Sequence, residues 1–358
     1  MKQLMLFVAF WINISSWAQG SEQSENIFIV STDGFRWQEV FGGADSTLIN
    51  DPAYVKDTSL IKQLFWSSDA GERRKRLLPF FWRVISSQGQ LYGNKAYNNQ
   101  VKVKNFWKIS YPGYNEMLTG YADPKPLLNT PIFNPNKSVL EFFNEQQSYK
   151  GKVAAFSSWN LFTYILNAKR NGSWLNSGYT GRAKDSSETA IMINWVQDEI
   201  GGKGHTRNDL LTFLHAKEYI HLHHPKVVFL SFGETDEYAH RGQYDEYLKS
   251  ANTFDKMLEE LWYMIQTDPI YKGRTTLIIT TDHGRGAKAE KWYTHNFLTR
   301  GSGDIWLALL GAGIEPEGEI KKSGRLYQNQ IAATIATLVG LPFISNHPVG
   351  KSMVTFTY

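Results

Sequence analysis

The chain has 358 residues, of which 42% are hydrophobic, 14% aromatic and 20% charged, and this composition is typical of a globular protein with a large core. The aromatic content excludes intrinsic disorder, and the 29 glycines follow no collagen-like period. A net charge of +4 is too small for this length to favour a nucleic-acid partner. The absence of cysteine excludes disulfides, cysteine-ligated metal sites and a cysteine nucleophile.

Residues 1–18 have the pattern of a secretory signal peptide. Lys2 precedes an apolar run, Leu4–Ile12, which is too short to span a bilayer. Small and polar residues follow, and we expect cleavage near Ala18–Gln19. We therefore expect an exported protein, periplasmic or extracellular, that has no stable membrane association once the signal is removed. The lack of cysteine favours a bacterial periplasm over a disulfide-rich extracellular space.

Five apolar segments in the rest of the chain predict β-strands. Their apolar centres are unbroken and end in polar residues, which is typical of strands buried on both faces of a parallel sheet. These segments are Asn26–Thr32, Lys152–Phe156, Lys226–Phe232, Thr275–Thr281 and Ile305–Leu310.

Helical patterns alternate with these strands, and the clearest one follows Gly242, where apolar residues recur every three or four positions. Further helices are predicted at Val139–Phe143, Thr189–Ile200, Leu210–Ile220 and Gln330–Leu338. The stretch Asn167–Ser187 is rich in Gly, Ser and Asn and is expected to be a long surface excursion. The alternation predicts an α/β fold with a mostly parallel central sheet and helices on both faces. Nothing divides the chain, so we expect one catalytic domain over 19–358.

A carboxylate follows each of the three clearest strands. Asp33 and Asp282 come directly after their strands, and Asp236 comes after a short turn. In open α/β sheets, ligands bind outside the carboxyl ends of the strands. Three carboxylates gathered there would repel one another, and a divalent metal ion is the simplest group that could hold them together.

Three histidines stand in positions that strengthen the prediction of a metal centre. His240 lies four residues after Asp236, which places both side chains on one face of a helical turn, and His283 is adjacent to Asp282. His295 follows in the next loop. Each residue alone would ordinarily be a turn or surface residue, but their joint placement after buried strands predicts metal ligands. Asp and His ligands without cysteine suit zinc, manganese or iron.

Three motifs in this order resemble the alkaline phosphatase superfamily: STDGFRW at 31–37, GETDEYAH at 233–240 and TTDHGRG at 280–286. The nearest resemblance is to the nucleotide pyrophosphatase/phosphodiesterase branch, and it extends from residue 26 to the end. It implies two divalent metal ions, with zinc preferred and manganese as the alternative. By this resemblance, one ion is held by Asp33, Asp282 and His283, and the other by Asp236, His240 and His295.

The resemblance also implies a nucleophile that bridges the two metals, a Thr or Ser before an aromatic–Pro pair. Ser110 stands before Tyr111–Pro112 in this chain. Metal coordination activates a serine without a histidine base, and the implied reaction passes through a phosphoserine intermediate. Ser110 is also a reasonable helix N-cap, and a helix N-terminus favours an anion. Tyr114 occupies the position of the Arg in the sulfatase pattern, which disfavours a formylglycine sulfatase.

Family members place an asparagine after the nucleophile helix, where it donates to a phosphoryl oxygen. Asn129 is the nearest match, and Asn115 is a competitor. For the substrate, Trp159 is a candidate stacking wall, and Lys169 and Arg170 lie in a segment that family members use near the pocket. For these last two residues, a solvated helix end is favoured over a substrate contact.

These features predict an exported two-metal phosphoric ester hydrolase, either a phosphodiesterase or a phosphomonoesterase. Its partner would be a small-molecule phosphate ester, with no nucleic acid and no protein partner expected. The enzyme alternatives are a sulfuric ester or phosphonate hydrolase and a transferase that passes the phospho group to an acceptor other than water. A binding protein that retains the fold without catalysis is disfavoured, because every expected ligand position is filled.

Overall fold

A computed structural model of the chain describes residues 23–183, 185–200, 204 and 206–354. The expected signal peptide at 1–18 and its cleavage point near Ala18–Gln19 lie outside these residues. Within the described ranges, no helix combines the length and the apolarity needed to cross a bilayer.

The secondary structure alternates between strands and helices. In the described ranges the strands are β1 (Asn26–Thr32), β2 (Gly89–Tyr92), β3 (Asn99–Lys102), β4 (Val153–Ser157), β5 (Trp174–Ser177), β6 (Val227–Phe232), β7 (Thr275–Thr280), β8 (Asp304–Ile305), β9 (Leu307–Gly311), β10 (Gly318–Glu319) and β11 (Gly324–Tyr327). The α-helices of the same ranges are α1 (Trp37–Gly42), α2 (Thr58–Phe65), α3 (Ala70–Leu77), α4 (Ser86–Gln88), α5 (Ser110–Thr119), α6 (Val139–Glu145), α7 (Phe162–Ile165), α8 (Glu188–Ile200), α9 (Asp209–His223), α10 (Glu234–His240), α11 (Tyr244–Thr267) and α12 (Ile331–Leu338). A π-helical turn, Phe81–Ile85, leads into α4.

The main sheet of the described residues has eight strands in the order β10-β2-β9-β7-β1-β6-β4-β5. Every neighbouring pair is parallel except the two that β9 forms with β7 and β2. In the centre, Val30 of β1 is in register with Leu230 of β6 and Ile279 of β7. The carboxyl ends of these three strands therefore lie side by side. A smaller sheet has the order β11-β3-β8.

Helices cover both faces of the main sheet. Along β1, Phe28 and Val30 belong to one buried apolar cluster, which includes residues of α9 and α11. Ile27 and Ile29 point to the opposite face and belong to a second cluster, which includes residues of α5, α6 and α12. This alternation follows from the period of two along a strand. The predicted α/β fold, with a mostly parallel sheet and helices on both faces, is confirmed.

Two local predictions were wrong. The segment Ile305–Leu310 is not one strand, because β8 joins the smaller sheet and β9 joins the main sheet. Trp306 stands between them, buried, and its indole N–H donates to the Phe35 carbonyl at 2.9 Å. The stretch Asn167–Ser187 is more than a surface excursion, because it contains β5 at the edge of the main sheet. An edge strand has one neighbour and needs no continuous apolar run.

Candidate metal centre

The three predicted carboxylates meet at the carboxyl edge of the central strands. Asp33 follows β1, and its backbone N–H donates to the carbonyl of Phe232 in β6 at 2.9 Å. Asp282 follows β7, and its Oδ1 accepts from the Gly34 N–H at 3.0 Å. Asp236 lies in α10, just after β6. Gly34 is required here, because it has a φ of +58° and a Cβ would lie 2.9 Å from Asp236 Oδ1.

One cluster of possible metal ligands consists of Asp33, Asp236 and His283, whose ligand atoms all lie within 4.8 Å of one another. His283 Nε2 is 3.3 Å from Asp33 Oδ1 and 3.4 Å from Asp282 Oδ2. The His283 Nδ1–H donates to the Gly284 carbonyl at 3.0 Å, so Nε2 is the nitrogen that faces the carboxylates. Asp282 is fully buried, and its Oδ2 has no hydrogen-bond partner among the residues that the structure describes. This orphaned oxygen fits a metal ligand.

The second cluster consists of Asp236, His240 and His295. His240 Nε2 lies 3.3 Å from Asp236 Oδ2 and 2.9 Å from His295 Nε2. The Nδ1–H of His295 donates to the Lys108 carbonyl at 3.1 Å, which leaves its Nε2 facing the cluster. The structure thus brings together all six sequence-predicted Asp and His ligands. Asp236 is shared by both clusters.

The electrostatics of the two clusters differ. Burial and the nearby Asp33 raise the pKa of Asp282 to about 8. Burial alone would lower the pKa of His283, but Asp282 and Asp33 outweigh it and raise that pKa to about 9. In the second cluster, burial lowers the pKa of His240, and burial with the nearby His283 lowers that of His295 well below its usual value. Without metal, the first cluster therefore holds protons at pH 7 and the second does not.

Ser110 begins helix α5 and lies against the first cluster. Its Oγ is 3.4 Å from Asp33 Oδ1 and 3.3 Å from His283 Nε2. The alternative role of Ser110 as an N-cap does not fit, because the N-cap position is Ile109. The Tyr111 N–H in the first turn is instead satisfied by Asn129 Oδ1 at 2.9 Å.

A pocket of about 700 Å³ opens beside these residues, and Asp33, Ser110, Asp236 and His240 form one side of it. Two of the predicted substrate contacts, Asn129 and Trp159, line this pocket. The competing Asn115 is buried outside it, where its Nδ2 donates to the Tyr121 carbonyl.

Lys169 and Arg170 are not among the residues that line the pocket. Arg170 Nε lies 2.5 Å from Glu141 Oε1, and its Nη2 donates to the Asn136 carbonyl at 3.0 Å. Lys169 Nζ lies 4.5 Å from the centre of the Phe133 ring. We therefore leave both residues out of the binding site proposed below.

Sequence reasoning missed two residues that support the ligands. Arg285 is buried, its Nε donates to the Gly34 carbonyl at 3.0 Å, and its guanidinium forms an ion pair with the Asp236 carboxylate. The Tyr114 hydroxyl donates to Asp33 Oδ2 at 3.2 Å. The available signal for Arg285 was its place between two glycines in the TTDHGRG motif, where a surface arginine would be unexpected.

Part of the chain matches a known family by sequence. The family model described as the Metalloenzyme superfamily matches residues 189–342, which include Asp236 and the three histidines. The segments that carry Asp33 and Ser110 lie outside this match. No curated protein matches the chain by sequence.

Solved structures share the fold at low sequence identity. Wild-type alkaline phosphatase PafA has a TM-score of 0.61 and 10% identity, over 92% of this chain and 98% of PafA. The lipoteichoic acid synthase LtaP from Listeria monocytogenes has a TM-score of 0.56 and 12% identity, over 90% of this chain and 73% of LtaP. The 2-O GAG sulfatase BT1596 has a TM-score of 0.55 and 11% identity, over 90% of this chain and 72% of BT1596. The chain therefore has the fold of the alkaline phosphatase superfamily, and its residues 189–342 carry the sequence pattern of the Metalloenzyme superfamily.

Proposed function

We propose that this protein is an exported hydrolase of phosphoric ester bonds that works with two divalent metal ions, zinc in preference to manganese. The observation that carries the proposal is the convergence of three carboxylates and three imidazoles beside the Ser110 hydroxyl. Export rests on the N-terminal pattern alone, and N-terminal sequencing of the secreted protein would test it.

The ligand set fits two cations. Among the described residues, Asp282 Oδ2 accepts no hydrogen bond and has only the His283 imidazole nearby, and His283 and His295 are held by their Nδ1–H groups so that each presents Nε2. Asp236 belongs to both clusters. When bound, two such ions lower the pKa of a serine hydroxyl and stabilise the charge on the attacking and leaving oxygens.

The chain's own residues supply the nucleophile and hold the phosphoryl group. Ser110 Oγ forms a bond to phosphorus in line with the ester bond that breaks, and Asp33 Oδ1 accepts the hydrogen bond of its hydroxyl. The proton that Ser110 loses leaves with the departing alcohol. Water then attacks phosphorus, the bond from Ser110 Oγ to phosphorus breaks, and a proton of that water restores the serine hydroxyl. Asn129 Oδ1 is taken by the Tyr111 N–H, so its Nδ2 is the atom that can donate to a phosphoryl oxygen.

The charge of the pocket supports a diester substrate over a monoester. Among the described residues that line it, none is Lys or Arg, and Glu237 adds a carboxylate. A monoester dianion needs cationic side chains for its second charge, whereas a diester carries a single charge. Trp159, Leu161 and Tyr164 provide an aromatic and aliphatic wall for the second substituent.

A sulfuric ester hydrolase is the second candidate, because a sulfate monoester also carries one charge and suits the same lining. Phosphonate hydrolysis and phospho transfer to an alcohol use the same site. The test compares three nitrophenyl substrates: a phosphate diester, a phosphate monoester and a sulfate. The protein is first stripped of metal with a chelator and is then assayed after addition of zinc, manganese or magnesium. We expect the diester to react fastest and only with metal. A faster sulfate reaction, or metal-independent turnover, would contradict the proposal.

A further inference from the structure

Two loops next to the metal centre carry an exposed apolar cluster. Phe106 of the first loop stacks on Phe297 of the second, with ring centroids 4.9 Å apart. Phe106 is 59% exposed, Phe297 42% and the neighbouring Leu298 80%. An exposed pair of stacked rings with an exposed leucine next to it in the chain marks an interaction site more often than single exposed residues do. We call Phe106, Phe297 and Leu298 the loop patch.

Basic side chains lie beside one member of the loop patch, Leu298. A cavity of about 370 Å³ is lined by Leu298 together with Lys288, Lys291 and Arg300. These three cations are exposed, and within the described parts of the chain none of them forms an ion pair. They are therefore available to an external anion.

The two loops carry a local excess of positive charge. Segments 104–108 and 287–300 contain five Lys and Arg residues and one carboxylate, Glu290, and so have a net charge of +4. The whole chain also has a net charge of +4, so the remaining residues sum to zero. The positive charge lies where the apolar side chains are exposed.

We propose that the loop patch and its cations bind the surface of an anionic phospholipid bilayer, peripherally and reversibly. Aromatic and aliphatic side chains beside basic ones match the acyl boundary and the anionic headgroups of such a surface. The charge complementarity favours anionic lipid over neutral lipid. From the sequence we expected no stable membrane association after signal removal. The two halves of the patch are about 190 residues apart in the chain, so no continuous segment carries the pattern of a membrane-binding surface.

Adsorption through this patch would place the metal centre near the bilayer. The first loop continues through Lys108, whose carbonyl accepts from His295, to Ser110. The second loop contains His295 itself. If the proposed function is correct, esters exposed at a membrane surface are then within reach of Ser110. Lipid binding itself is independent of hydrolysis.

The test is co-sedimentation of the purified protein with phosphatidylcholine vesicles, with and without phosphatidylglycerol, in the absence of substrate. We expect binding that is about tenfold or more tighter with phosphatidylglycerol and that weakens with salt. Each of Lys288→Gln, Lys291→Gln and Arg300→Gln should weaken it about fivefold. The double variant Phe106→Ser/Leu298→Ser should weaken it about tenfold or more.

The matched control is Tyr263→Ser/Ile344→Ser, whose side chains are 65% and 70% exposed and lie outside the two loops. The control should bind vesicles like the parent protein, and unchanged melting temperatures would show that all variants fold. Equal binding to both vesicle types, or full binding by the patch variant, would overturn the proposal. Self-association is the other outcome. If the parent protein does not bind vesicles, and light scattering shows a dimer that the patch variant does not form, the lipid proposal is overturned in favour of self-association. Ester turnover in solution is measured separately, so the vesicle-binding result can be interpreted even if the protein proves not to be a hydrolase.

Discussion

The two metal clusters hold different numbers of protons before metal binds, and this difference predicts a measurable release of protons. The carboxylates around His283 raise its pKa to about 9, and burial raises the pKa of Asp282 to about 8. His240 and His295 have lowered pKa values and are neutral at pH 7. A cation at the first cluster must therefore displace protons, whereas one at the second cluster displaces none.

The magnitude follows from the linkage of protons to metal. A group with a pKa of about 9 is about 99% protonated at pH 7, so His283 contributes about one proton and Asp282 a further fraction. For each proton that must be displaced, the apparent affinity for the metal ion rises about tenfold per unit increase in pH, as long as the pH is below the pKa of the group. We expect zinc binding at the first cluster to tighten about 10- to 100-fold between pH 7 and pH 8, with little change at the second.

The assay is calorimetric titration of the metal-free protein with zinc in two buffers that differ in ionisation enthalpy. The buffer dependence of the heat counts the protons released. His240→Ala removes a ligand of the second cluster only, and its single remaining phase should be the one that releases protons. Asp282→Asn keeps the shape of the side chain but removes one of the two titrating groups of the first cluster, and it should reduce the release. Equal proton counts in both phases, or none in either, would refute the reasoning.

Three further predictions concern single residues. Ser110→Ala should lower turnover about a thousandfold or more while metal content stays at the parent value; full activity would exclude Ser110 as the nucleophile. Asp236→Ala should lose metal at both clusters because its carboxylate is shared, whereas His240→Ala should lose one ion, and elemental analysis that finds two ions in either would contradict the ligand set. Arg285→Met leaves the Asp236 carboxylate without its buried partner and should lower the free energy of unfolding of the metal-free protein by about 3 kcal/mol. Arg285→Lys should recover part of that loss in denaturant titrations, and an unchanged unfolding free energy in Arg285→Met would contradict a supporting role.

The parts of the fold that the sequence predicts are those with a periodic signal. β1, β6 and β7 are buried on both faces and therefore have unbroken apolar runs, and their equal register places Asp33 and Asp282 together. β5 has no such run because it lies at the sheet edge, and it could not be read from composition.

The pocket is less predictable than the metal ligands. Its lining comes from loops around Asn129, Trp159 and Thr206, whose proximity depends on turns and on an isolated bridge between Trp159 and Thr206 rather than on a periodic pattern. Ser110 was identified only through family resemblance, since the chain contains many other Ser and Thr residues. Arg170 was a candidate substrate contact because of its position in the chain, but its guanidinium forms an ion pair with Glu141 and is not part of the pocket lining.

The central claim is that the carboxylates at the sheet edge hold a pair of cations, and anomalous diffraction at the zinc absorption edge tests it most directly. Crystals grown with zinc should show two peaks roughly 4 Å apart, one among Asp236, His240 and His295 and one beside Asp33, Asp282 and His283. A single peak, or peaks away from these side chains, would contradict the two-metal centre.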